Sequence, residues 1–119
     1  MIVFDQPLVF VLLLGGGIFA LAGAIQRRFP PQKINHFYGY RTTRSMKNQT
    51  VWDFAQRYSA DKMIRLGFWM VAFALLALVV DLEWPKPWGV WLGIVIIVVA
   101  PLLMLLQVES ELKKRFPKE

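Results

Sequence analysis

The 119-residue sequence contains no cysteine, which removes disulfide frameworks and the common zinc–thiolate sites. It has one histidine, His36, and no carboxylate between Asp5 and Asp53, so a histidine–carboxylate metal cluster has few ligands to draw on. Charged residues are scarce, 18% against 56% hydrophobic, and the mean hydropathy is +0.44. That balance excludes intrinsic disorder and argues against an ordinary soluble globule. The long apolar runs carry no ionisable side chain near their middles, whereas proton-coupled pumps and exporters need one there. The paired Asp, Ser–base or His-rich sets of intramembrane proteases are also missing.

What is present is blocked hydrophobicity. Leu8 to Ile25 is eighteen residues without a polar side chain, and Trp88 to Leu106 is nineteen. As helices they reach about 27 and 28 Å, close to the roughly 30 Å hydrocarbon core of a bilayer. Ile64 to Val80 is a third run, with only Arg65 charged, in its first turn where it can snorkel to the headgroups. The reading is an all-α integral membrane protein: one three-span domain over residues 1–119, with spans at about 8–25, 64–80 and 88–106 and a loop over 26–63. Met1 to Pro7 carry Asp5 and no Lys or Arg, and the basic pair Arg27-Arg28 follows the first run. A reverse-oriented anchor therefore fits better than a cleaved signal peptide.

Charge placement predicts the orientation. Residues 26–65 hold nine Lys/Arg against Asp53 and Asp61, a net +7 within a total of +6. The positive-inside rule then puts this segment and the C-terminus in the bacterial cytoplasm, and the N-terminus and the Trp84-Pro85-Lys86-Pro87 turn outside. Trp84, Trp88 and Trp91 mark an outer interfacial belt. Topology thereby accounts for the basic excess without direct nucleic-acid binding. Helix contacts are expected at small residues: Gly16, Ala20, Gly23 and Ala24 in the first span, Gly67, Ala74 and Ala77 in the second, Gly89 and Gly93 in the third. Pro101 should kink the third span.

The chemistry-bearing residues lie between the first two spans. Arg27-Arg28-Phe29-Pro30-Pro31 stops the first helix at the headgroups, an arrangement echoed by Lys114-Arg115-Phe116-Pro117 after the third. Phe37, Tyr38 and Tyr40 around Gly39 predict a tight turn that presses rings against the interface and presents Arg41. Ser45 or, preferably, Asn48 caps a helix running through Trp52, Ala55 and Tyr58 into the second span. Asp53, Arg57, Asp61 and Arg65 fall at four-residue steps, a ladder with each pair contributing a few tenths of a kcal/mol.

The string Ile34-Asn35-His36-Phe37-Tyr38-Gly39-Tyr40-Arg41-Thr42, then Arg44-Ser45-Met46-Lys47-Asn48, then Trp52-Asp53-Phe54-Ala55-Gln56-Arg57-Tyr58-Ser59, resembles the SdpI family of bacterial membrane proteins. Asn35, Tyr38, Gly39, Tyr40, Arg41, Thr42, Trp52, Ala55 and Arg57 match its loop pattern, and Gln56 replaces the frequent Asn. The resemblance is to a short form holding only the three-span module. It implies immunity to a toxic peptide and signalling through a cytoplasmic protein such as a repressor. The implied ligand- or partner-binding set is Asn35, Tyr38, Gly39, Tyr40, Arg41, Thr42, Ser45, Asn48, Trp52 and Arg57, with no cofactor and no metal.

Two classes of function follow. One is a binding protein for immunity or envelope-stress defence, whose spans engage a toxin or the lipid bilayer and whose basic aromatic loop engages a cytoplasmic partner. The other is an enzyme or transporter built as a homo-oligomer, with Arg41, Tyr40, His36 and Asn48 forming a polar pocket at the inner surface. Arg41 offers a planar fork suited to phosphate or carboxylate, but no obvious general base or nucleophile accompanies it.

Overall fold

A computed structural model describes residues 7–79 and 88–117. The flank containing Asp5, the turn containing Trp84 and Lys86, and Val80 at the expected end of the second span lie outside the described residues. The regular secondary structure described is helical throughout: α1 (Pro7–Arg28), α2 (Gln49–Val79) and α3 (Trp88–Arg115). Each is long and apolar enough to cross a membrane, and the protein is an all-α, multi-pass membrane protein.

Helix length explains the architecture. α2 has 31 residues, about 46 Å, so roughly a third of it must project beyond a hydrocarbon core of about 30 Å. The projecting part is its polar beginning, and juxtamembrane helix and second span form one rod. Its start is set by Asn48, whose Oδ1 accepts the Val51 amide at 3.0 Å as an N-cap. α3 has 28 residues and runs nine positions past the expected boundary at Leu106, continuing unbroken through Pro101. No Gly or Pro interrupts Gln107–Phe116, which explains the extension.

α1 and α2 meet at glycines. A Cβ on Gly67 would collide with the Gly16 carbonyl oxygen, and one on Gly23 would lie 2.9 Å from the Ala60 carbonyl oxygen. Backbones approach that closely only where side chains are absent, as the small-residue pattern predicts. Gly93 of α3 faces Val11 of α1 in the same way. Ala24, expected in the stripe, is instead exposed, because the contact face runs through Gly16, Ala20 and Gly23.

Two cores result. One lies among the spans and is built on Leu8, Val9, Leu12, Met70, Ala74 and Ala77. The other joins the projecting ends of α2 and α3 to the loop, through Tyr40, Val51, Ala55, Val108 and Leu112, with Phe54, Tyr58 and Phe116 packed on it. Between them α3 leaves Val98, Leu102, Leu103 and Leu106 exposed, as a lipid-facing helix does.

Candidate functional site

The 29–48 segment is a strap tied at three places. The first tie is to α1. Phe29 donates its amide to the Ile25 carbonyl, and the Tyr38 hydroxyl donates to the Phe29 carbonyl at 2.6 Å, supplying a partner where the helix has run out of its own. Asn35 builds the bend that brings Tyr38 back: its Oδ1 accepts the Phe37 and Tyr38 amides at 2.9 and 2.8 Å. This is an Asx turn, for which a short amide side chain suits.

The second tie is to α2 and centres on Gln56. Its Oε1 accepts the Tyr40 amide and its Nε2 donates to the Tyr40 carbonyl, both at 2.7 Å, so one side chain pairs with the strap as a neighbouring strand would. Gly39 passes so close that a Cβ would strike Gln56 Oε1, and its φ of +100° is one that glycine adopts without strain. On the far side of Gln56, Gln26 of α1 donates to the Gln56 carbonyl at 2.8 Å and to Ser59 Oγ at 2.9 Å. Trp52, fully buried, donates its indole N–H to the Pro31 carbonyl at 2.7 Å.

The third tie is to α3. Glu109 Oε2 accepts from the Tyr40 hydroxyl at 2.7 Å and from Thr42 Oγ1 at 2.9 Å, and Arg44 faces Oε1 at 3.7 Å. Burial, followed by the Glu109 hydrogen bond and charge, raises the Tyr40 pKa well above its usual value, so the phenol stays a proton donor. Ser45, completely buried, closes the turn by accepting the Thr42 amide at 2.8 Å and donating to carbonyl oxygens of the same turn.

Asn35, Tyr38, Gly39, Tyr40, Thr42, Ser45 and Trp52 are therefore brought into one hydrogen-bonded unit, with Asn48 capping the helix beside it. The expectation that all three loop rings press on the interface needs correction. Tyr40 turns inward to Glu109 because its carboxylate lies on the α3 extension, while Phe37 is 91% exposed. Of the four residues expected to line a polar pocket, Arg41, Tyr40, His36 and Asn48, Tyr40 is engaged by Glu109 and Asn48 by the Val51 amide. Arg41 stays exposed and donates to the His36 carbonyl. Arg57 lies apart, lining a cleft of about 310 Å³ with Gln26, Arg27, Pro31, Gln49 and Asp53.

The charge ladder is also rearranged. Asp61 pairs with Arg27 of α1 at 2.7 Å, and Asp53 accepts from Gln49 at 2.7 Å. For Asp61 a tertiary partner takes the place of the helical one, whereas Asp53 keeps a partner on its own helix. The juxtamembrane echo differs in its two copies: Phe116 packs edge-on against Phe54 at 5.7 Å, whereas Phe29 is 66% exposed. Sequence reasoning missed Gln26, Ser59 and Glu109, and saw Gln56 only as a departure. The available signal for Glu109 was an uninterrupted helical stretch after the third apolar run. Among the described residues, no three His, Cys, Asp or Glu side chains converge as metal ligands.

Known proteins resemble part of this chain in sequence. The model of the SdpI/YfhL protein family matches residues 32–105, which include most of the strap, all of α2 and the membrane part of α3. A relative, the uncharacterized protein YfhL of Bacillus subtilis (strain 168), is 48% identical over 64 residues, covering 54% of this chain and 58% of that protein. The match thus spans little more than half the relative's length. No solved structure matches.

Proposed function

The chain belongs to the SdpI/YfhL protein family, and from that membership we propose that it is an immunity or envelope-stress defence protein that binds a toxic peptide and signals through its basic aromatic strap. The single observation that carries this reading is the Glu109 latch, because it gives the spans a physical route to the strap. α3 presents most of its membrane surface outward, where a peptide entering the bilayer meets it. A shift of α3 moves Glu109, and with it Tyr40, Thr42 and Arg44, so engagement in the membrane changes what the strap displays. The displayed groups are Arg41, Phe37 and His36, a cationic and aromatic surface suited to a cytoplasmic protein such as a repressor. In this reading the strap faces the cytoplasm, as its excess of Lys and Arg requires.

A catalytic reading has less support. Tyr40 and Asn48 are committed to structural bonds, and the guanidinium of Arg41 is occupied by the His36 carbonyl.

The test separates a membrane anchor from a recognition group. Replacing Arg41 by Lys keeps a long cation able to snorkel but removes the planar fork. Arg41→Ala and Arg41→Lys are both expected to abolish protection of cells against an envelope-targeting peptide at unchanged membrane abundance. A fully protective Arg41→Lys protein reduces Arg41 to an anchor and overturns the reading.

A further inference from the structure

Below the shared core at Val108 and Leu112, α2 and α3 separate. A groove of about 360 Å³ opens between them, with Leu66, Trp69, Leu103 and Met104 among its walls and Lys62 and Arg65 at its rim. A second cleft of about 430 Å³ adjoins it and shares Lys62, Leu103 and Gln107. The rim lies where α2 changes from polar to apolar, Arg65 being its last charge before an uncharged run to Val79.

The neighbouring acids among the described residues are turned to other partners. Asp61 points to Arg27 on the α1 side, Glu111 of the adjoining cleft takes Arg115 at 2.8 Å, and Glu109 is engaged by the strap. Lys62 lies over the face of the Tyr58 ring, 5.4 Å from its centroid. Two cations with no carboxylate partner among the described residues thus stand over an apolar trough at the membrane surface. The complementary molecule carries a phosphate at one end and a hydrocarbon chain below it, and basic pockets between membrane helices bind such headgroups.

We propose that the α2–α3 groove is a binding site for an anionic phospholipid, its phosphate held by Lys62 and Arg65 and one acyl chain lying along Leu66, Trp69, Leu103 and Met104. A zwitterionic lipid offers the same phosphate with a compensating ammonium, and free phosphate offers no chain. Charge and trough together select the anionic lipid. The site does not depend on the defence reading.

The experiment is lipid retention by the purified full-length protein, measured by native mass spectrometry with phosphatidylglycerol, phosphatidylcholine or inorganic phosphate as probes. Phosphatidylglycerol is expected to be retained over phosphatidylcholine, and K62Q/R65Q to lower its retention by about tenfold or more. K113Q/K114Q, which removes exposed cations outside the groove, is expected to leave it unchanged. Ala100→Phe, which fills the trough and spares both cations, should lower lipid retention. Circular dichroism checks that each variant is folded. Wild-type retention by folded K62Q/R65Q, or equal retention of the two lipids, overturns the proposal. Displacement of phosphatidylglycerol by inorganic phosphate as effectively as by added lipid also overturns it, since it identifies a free-anion site.

Discussion

At the scale of single residues, Gln56 joins three segments: it pairs with both backbone polar groups of Tyr40, and its own carbonyl accepts from Gln26. Removing its amide has unequal consequences for those groups. In Gln56→Leu the Tyr40 carbonyl still has Ser45 Oγ at 3.1 Å, whereas the Tyr40 amide loses the partner described for it. One orphaned buried donor is worth about 1–3 kcal/mol, so Gln56→Leu is expected to destabilise by that amount. The measurement is thermal unfolding in detergent followed by tryptophan fluorescence, with Trp52 buried in the affected unit. An unchanged midpoint would mean that the strap holds without this pairing. The residue types of the motif were legible in the sequence, but its partners were not. Gln56, Gln26 and Glu109 come from three helices, and a side chain's reach across helices has no one-dimensional signature.

Elements are held by backbone approach. A Cβ at Gly67 meets the backbone of Gly16 and Ala20, which cannot yield as a flexible side chain would. At Gly17, one position along α1 from Gly16, an added methyl group would meet nothing within 4 Å. Gly67→Ala is therefore expected to destabilise the α1–α2 pair by about 1–3 kcal/mol through overpacking. Gly17→Ala should be neutral or stabilising by up to about 1 kcal/mol through helix propensity. Unfolding of both variants in the same detergent decides the matter, and equal effects would show that the close approach at Gly67 is not limiting. Helix existence was readable from apolar run length because a bilayer demands about twenty such residues. The ends were less so: α3 outran its apolar segment because polar helix-compatible residues continue it, and tertiary contacts give that continuation a reason to stay folded. Val108 and Leu112 are buried against the strap and α2, Glu109 is held by Tyr40 and Thr42, and Phe116 packs on Phe54.

For the whole molecule, the second core joins the strap to the far end of α3. The contact of Glu109 with Tyr40 and Thr42 puts residues 29–48 and the end of α3 on the same side of any bilayer the helices cross. Which side that is follows from charge, with the +7 segment expected in the cytoplasm. A chain without cysteine permits a clean assay. Single cysteines at Ile2, Lys47, Lys86 and Lys113 are exposed in turn to an impermeant thiol reagent on intact cells. Labelling is expected at Ile2 and Lys86 only. Labelling at Lys47 but not Lys86 reverses the orientation, and opposite behaviour of Lys47 and Lys113 contradicts the shared side.

Composition and run length alone determined that this chain enters a membrane as three helices. Burial in hydrocarbon depends on length and polarity, which a sequence states directly. The glycine pattern also marked where those helices touch, because close approach requires an absent side chain. Tertiary structure alone decided that Tyr40 faces Glu109 rather than the interface, that Asp61 serves Arg27 rather than its own helix, and that Lys62 and Arg65 are left above an open groove. Each of those outcomes depends on the distance between groups far apart in the chain, and that distance is set only when α1, α2 and α3 have packed.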